Sequence, residues 1–274
     1  MSSLDVAAEL SYDVQRTTSF AFSIVAARTT HQSVESESIE INPPVDHELV
    51  TYGGGSHQLV RLAADAGRLD VRYRATVTVD AEIHDTTSLP EVPFGRLPAE
   101  LLPFLNPSRY CESDKLADFA WRHFGHVAAG YERLQSISNW VNQSLLYQPG
   151  STDASSSTTD VLLQRAGVCR DYAHVGIALC RALGIPARYV SGYGVGVEPQ
   201  DFHGFFEAYV GDDWYLFDPT GMTVAAGLVR IGYGRDAADA AFATLVGDAQ
   251  LTQKIVSVTV NGALDDERGA ASTA

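Results

Sequence analysis

The chain has 274 residues, 45% of them hydrophobic and 19% charged, enough to bury a sizeable core in one large or two modest domains. A formal charge of -15 repels phosphate backbones and argues against nucleic acid as a partner. No stretch approaches the about 18 uninterrupted apolar residues of a membrane span, so no membrane partner is expected either. The opening "MSSLDVAAELSYDVQ" lacks a basic region followed by an apolar run, so no signal peptide is read there. Three cysteines, Cys111, Cys169 and Cys180, are too few and too odd for a disulfide framework. A cytoplasmic protein with reduced thiols is the expectation.

Residues 4–88 alternate at period two. Leu4, Val6, Ala8, Leu10, Tyr12 and Val14 form one series, Phe20, Phe22 and Ile24 a second, and Leu69 to Val79 a third. Such alternation predicts half-buried antiparallel strands, separated by the turn clusters "NPPVD" and "TYGGGS". A small N-terminal β-sandwich over 1–88 is expected. Residues 89–110 are proline-rich and read as a linker or packed crossing.

From 111 the pattern turns helical. Ser113 opens "SDKLADFAWRHFG", and Tyr131, Leu134, Ile137, Val141 and Leu145 recur at helical spacing. Asp160 ends a polar stretch as an N-cap for "VLLQRAG". A helix follows over 169–184, stopped by Gly184 and kept from restarting by Pro186. Strands come next in "ARYVSGYGVGV", "FHGFFEAYV", "WYLFD" and "KIVSVTV". This α+β organisation gives a second domain over 111–260 and a frayed tail over 261–274.

Cys169 sits in the first turn of its helix, just after Gly167. That end presents unpaired N–H groups and about half a positive charge, which stabilise a thiolate and can hold an oxyanion. Cys180, about three turns on, lies on the same apolar stripe and reads as core. A nucleophilic cysteine also needs an imidazole and a group to orient it. His174 points about 140° away around the helix and reads as a structural hydrogen-bonder.

His203 lies in "DFHGFFEAYVGDDWYLFDPTG", which reads as a hairpin. If the turn runs from Val210 to Asp213, Tyr209 pairs with Trp214 and Phe205 with Asp218. His203 and Asp218 then share one face at a diagonal, about 7–8 Å apart at Cα. A three-residue loop would put them on opposite faces. In the order Cys169, His203, Asp218 the three form a candidate catalytic triad.

Three stretches, "GVCRDYAHVGIALCRALGIPARYVSGY", "HGFFEAYVGDDWYLFDPTG" and "GRDAADAAF", resemble the transglutaminase-like superfamily of papain-type cysteine enzymes. The likeness is strongest to its bacterial cysteine-protease-like branch, and "LLPFLNPSRYCESDKL" is similar to the segment joining that branch's two domains. The resemblance implies a papain-like core of helices on an antiparallel sheet. It places the nucleophile on Cys169, the base on His203 and the orienting carboxylate on Asp218. It also implies attack on an amide carbonyl, a thioester, and hydrolysis by water or transfer to an amine. The family commonly has a small residue and then Trp after the histidine, whereas this chain has Gly204 and Phe205 and so lacks that indole N–H.

Trp140, Tyr147, Asp171 and Tyr193 are candidates for the substrate cleft. No metal or other cofactor is required by this chemistry. Asp236 and Asp239 beside Arg235 read as an ion-paired turn, and the glycines of "SGYGVGV" open no helix that would cradle phosphate. The expected partner is a peptide or protein substrate. A binding module on a disabled enzyme fold is the competing class, but such a module loses a triad member and this chain keeps all three. Hydrolysis, acyl transfer, the natural substrate and the oligomeric state are not separable at this level.

Overall fold

The computed structural model describes residues 1–52, 57–264 and 269–273. Most of the "TYGGGS" cluster, 53–56, and part of the tail, 265–268 and 274, lie outside the described residues. The first domain holds β1 (Ser2–Phe22), β2 (Gln32–Asn42), β3 (His47–Tyr52), β4 (His57–Ala64), β5 (Gly67–Val79) and the short β6 (Glu82–His84). The second holds α1 (Ala117–Phe124), α2 (Tyr131–Ser144), β7 (Leu146–Tyr147), α3 (Thr158–Gln164), β8 (Ala166–Gly167) and α4 (Cys169–Ala182). There follow β9 (Ala187–Gly194), β10 (Phe202–Val210), β11 (Asp213–Phe217), β12 (Leu228–Gly234), β13 (Ala243–Val260) and β14 (Ala270–Ser272). The α+β class is as the sequence implies.

The expected sandwich is one sheet creased across its middle. Residues 2–14 of β1 pair with β5, and residues 18–22 pair with β4 along the same edge. β2 and β3 pair outside β5 and β4 in the same way. Leu4, Val6, Ala8, Leu10, Tyr12 and Val14 on one side of the crease, and Phe20 and Phe22 on the other, line a single core. The Tyr12 and Phe22 rings lie 5.8 Å apart, although ten residues of straight strand would separate them by about 33 Å.

β13 takes the other edge of β1, from Leu4↔Val260 to Phe22↔Ala243. Residues 243–260 therefore belong to the first sheet, not to the second domain as their position in the chain suggests. Their alternation suits either sheet, and β1 offers a free edge. The tail is also ordered in part: β14 pairs with β6, and Ala270 to Thr273 are buried. Small side chains let this strand pack beside β11.

In the second domain the sheet order is β11-β10-β9-β12, all antiparallel. α4 packs on β10 and β9 and is buried continuously from Asp171 to Arg181. Its polar groups are paired: His174 Nε2 accepts the Ala237 N–H at 3.1 Å, and Arg181 Nη2 donates to the Ala187 carbonyl at 2.8 Å. The helix ends at Gly184, whose φ of +81° is a left-handed stop. Ser113–Lys115 forms a 3-10 turn, so α1 starts later than the sequence signal suggests. Ser157 caps α3, while Asp160 reaches back to the Ser157 N–H at 2.9 Å.

The β10–β11 hairpin turns at Gly211 and Asp212, with φ of +57° and +66°. Both values suit the primed turn that matches strand twist. Tyr209 pairs with Trp214 and Phe206 with Phe217, which is the register that puts His203 and Asp218 on one face. Gly211→Val should lower stability by about 1–2 kcal/mol from backbone strain alone. A Cβ there also meets Leu89 Cδ2 at 2.7 Å. A urea midpoint matching wild type would reject this account.

Behind the sheet, the fully buried Glu207 binds two arginines. Arg188 Nε donates to it at 2.6 Å, and Arg230 closes the other side. Arg188 is sandwiched between the Trp214 and Tyr233 rings, each 4.1 Å from its guanidinium carbon. Glu207→Gln strands two buried cations, for a cost of about 3–5 kcal/mol. Equilibrium unfolding of that variant measures it, and a change below about 1 kcal/mol would refute the pairing as a stabilising constraint.

Candidate active site

The site begins at the first turn of α4. Val168 is the N-cap in extended conformation and has no side chain that can cap. Asp171 at N3 does so instead: its Oδ2 accepts the Val168 N–H at 2.9 Å. The same oxygen takes the Thr152 hydroxyl at 2.5 Å, and Oδ1 takes Arg170 Nη2 at 2.9 Å. A Cβ on Gly167 would meet Asp171 Cβ at 2.7 Å, so only glycine admits this carboxylate. Asp171 has no exposed surface and all its bonds face inward. It seats the Cys169 turn and does not line a cleft.

Cys169 is the first residue of α4, and it is partly exposed while Cys111 and Cys180 are buried. Its Sγ lies 3.8 Å from the Phe202 carbonyl oxygen, at the start of β10. The next residue, His203, has its Nε2 2.9 Å from Asp218 Oδ2. Asp218 Oδ1 is occupied by the Thr220 N–H at 3.0 Å and the Thr220 hydroxyl at 2.7 Å. Asn142 Nδ2 donates to the Pro219 carbonyl at 2.8 Å and so holds that loop to α2. Thr152, Thr220 and Asn142 escaped the sequence reading because a single hydroxyl or amide carries no periodic signal.

His203 Nδ1 is buried and has no hydrogen-bond acceptor among the described residues. Burial opposes a charged ring, but the Asp218 carboxylate and then Cys169 overcome it and push His203 up to about 10. Both neighbours favour the cationic form of the ring. Phe205 stands on the same strand face, its centroid 6.4 Å from that of His203. The aromatic that replaces the family's Trp is thus a buried wall without a donor.

Of the four cleft candidates, Tyr147 is brought to the sulfur. β7 pairs in parallel with β8, setting Tyr147 opposite Gly167. Burial, and then the neighbouring Cys169, push its phenol upward from the ordinary range. Trp140 is elsewhere: it packs on Phe119 and Phe124 with centroids 5.4 and 6.0 Å away. It lines a cavity of about 1100 Å³ along α2 that includes none of Cys169, His203 or Asp218. Tyr193 is fully buried and donates to the Ile24 carbonyl at 2.5 Å, tying the two domains together. Helical and strand spacing cannot show which face an aromatic covers, so both misplacements follow from reading in one dimension.

Asp236 accepts the Tyr110 and Ala238 N–H groups at 2.9 Å each, and Arg235 Nε pairs with Asp239 at 2.8 Å. This is the ion-paired turn that the sequence suggests. Among the described residues, no group of three or more His, Cys, Asp or Glu is placed to share a metal ion. No helix among them is long and apolar enough to cross a membrane.

Residues 119–219 match the core of the family described as the transglutaminase-like superfamily. Residues 2–100 match the family described as the bacterial transglutaminase N-terminal domain. An uncharacterized protein of Mycobacterium leprae is 38% identical over 42% of this chain and 45% of its own length. One from Mycobacterium tuberculosis is 30% identical over 53% and 50%. The chain thus spans about half the length of the curated relatives it matches. A crystal structure from Cytophaga hutchinsonii, described as that of a "putative cysteine protease", superposes with a TM-score of 0.91. It is 40% identical and aligns over 98% of this chain and 93% of that one. With that identity along nearly all of both chains, and with both domains matched, this chain belongs to the transglutaminase-like superfamily.

Proposed function

We propose that this chain is a thiol-dependent amide-bond hydrolase acting on a peptide or isopeptide bond. One observation carries the reading: a partly exposed cysteine at a helix start stands beside a buried histidine whose far nitrogen is held 2.9 Å from a carboxylate. In the proposed cycle the Cys169 proton rests on His203 Nδ1, with Asp218 holding Nε2. The thiolate attacks the amide carbonyl and the C=O π pair moves to oxygen. As the tetrahedral intermediate collapses to a thioester, His203 protonates the departing amine. His203 then takes a proton from water as its oxygen attacks the thioester, and collapse of that intermediate breaks the C–S bond, releasing the acid and leaving the Cys169 thiolate beside cationic His203. The description of the 40%-identical relative supports hydrolysis over transfer.

Iodoacetamide should alkylate Cys169 well below pH 8, with mass spectrometry assigning the site. His203→Ala should lose that low-pH reactivity and react only as an ordinary thiol, near pH 8.5. Equal pH profiles in the two proteins would sink the ion pair. A peptide substrate offered with and without a primary amine then separates the outcomes: free acid supports hydrolysis, and dominant amide product would replace it with acyl transfer.

The pH limb follows from His203. Its cationic form, needed to expel the amine, persists below about 10 and is lost as pH rises through that value. Hydrolysis should therefore fall on the alkaline side near pH 10. Asp218→Asn removes the carboxylate that raises His203, so this limb should move toward neutrality and turnover should drop about 10²–10⁴-fold. An unmoved limb in the kcat/KM profile would show that Asp218 does not act through the ring.

A further inference from the structure

Phe202 opposite Tyr193 is the outermost pair of the β9–β10 ladder, and the end of a ladder is where local opening costs least. Yet its carbonyl oxygen lies 3.8 Å from Cys169 Sγ, and the next residue is His203. We propose that Lys254 of β13 is a positioning residue for the Cys169–His203 pair, acting through Asp201, and that the first domain thereby steadies the site from outside the second sheet. This rests on the thiol-enzyme reading above.

Polar contacts run without a break from the first sheet to the strand that carries His203. Lys254 stands opposite Leu10 in the β1–β13 ladder, so its backbone belongs to the first domain. Its Nζ donates to Asp201 Oδ2 at 2.6 Å. The other carboxylate oxygen, Oδ1, accepts the Phe202 N–H at 2.7 Å. One carboxylate thus ties the Phe202 main chain to a cation on the neighbouring domain. Gln200 Nε2 donates to the Gly194 carbonyl at 3.2 Å and closes the loop that enters β10. Among the described residues, Lys254 is the cation paired with Asp201.

The Phe202 side chain is held from the same side. Its ring stacks on that of Phe242, with centroids 5.2 Å apart and planes 16° from parallel. Phe242 immediately precedes β13, and its carbonyl accepts the Ser23 N–H at 2.9 Å. Lys254 Nζ lies 5.3 Å from the Phe242 centroid, so the ammonium is attracted by both the carboxylate and the ring face. Phe202 and Phe242 both pack against the core of the creased sheet. Phe202 is therefore a residue of the second sheet whose side chain is anchored in the first domain.

A shift in the first residues of β10 moves the Phe202 carbonyl and the His203 ring together relative to the sulfur. A misplacement of about 1 Å can cost about 10²-fold in rate. The Lys254 and Asp201 side chains are 31% and 40% exposed, so their pairing contributes little to global stability. Its effect falls on where the strand begins.

Lys254→Met keeps most of the stem and removes the ammonium, while Lys254→Arg keeps a cation. The readout is alkylation of Cys169 by iodoacetamide in the full chain at about pH 6, where an ordinary thiol is nearly inert. Lys254→Met should slow it about 10-fold, and Lys254→Arg should stay within about threefold of wild type. The urea midpoint of both variants should stay near that of wild type. Asp201→Asn keeps an oxygen for the Phe202 N–H, and in that background Lys254→Met should add nothing further. Four results would overturn the proposal: an unchanged rate in Lys254→Met, a loss that arginine does not recover, a loss that adds in full to that of Asp201→Asn, or a urea midpoint that falls in step with the rate. Failure of the thiol-enzyme reading shows separately, as wild-type Cys169 that is already inert at this pH or that keeps its reactivity in His203→Ala.

Discussion

A two-residue turn sets the parity of the β10–β11 ladder, and the candidate site depends on that parity. With Gly211 and Asp212 at the turn, Tyr209 faces Trp214. His203 and Asp218 then fall on one face, and their side chains meet at 2.9 Å. A slip of one residue would send the carboxylate to the opposite face. The same strand carries Glu207 four residues from His203 and on the same face. Its two arginine partners come from β9 and β12 and so depend on the β9–β10 and β9–β12 ladders, while β11 contributes Trp214, whose ring lies 4.1 Å from the Arg188 guanidinium carbon.

The nucleophile is set by a different device. α4 is buried almost throughout, so its direction is fixed by packing on β9 and β10. Asp171 closes its first turn, and glycine at 167 makes room for that carboxylate. Cys169 is left at the end where helix N–H groups are unspent. Polar groups around the site are mostly saturated, as low-dielectric surroundings require. His203 Nδ1 stands apart as a buried nitrogen without an acceptor, on the ring whose other nitrogen is held by Asp218.

The first domain is more than an appendage. Gln32 accepts the Arg230 N–H at 2.7 Å and donates to the Arg230 carbonyl at 2.9 Å. Tyr193, Val229 and Ile231 of the second sheet join the core of the creased sheet. Arg230 therefore serves the ion cluster with its side chain and the domain junction with its backbone. Removing the first domain would leave these groups in water and loosen the sheet that carries His203.

The sequence by itself determined what is local and periodic. Period-two alternation marked the strands, and Gly184 and Pro186 marked the end of α4, while "VGDDW" marked a hairpin whose register the pairing of Tyr209 with Trp214 selected. Cys169, His203 and Asp218 were legible as a set because each sits at an element boundary with a distinct signal. Tertiary structure alone decided which sheet edge β13 joins, that the tail returns as a strand, and that Trp140 and Tyr193 face away from the sulfur. It also decided that Glu207 is matched by two arginines, and that Tyr147 is set opposite Gly167, two residues before Cys169. Backbone preference repeats along one dimension and can be read there. An edge, a buried charge and a ring contact join residues far apart in sequence, and they take their energy from neighbours that only packing supplies.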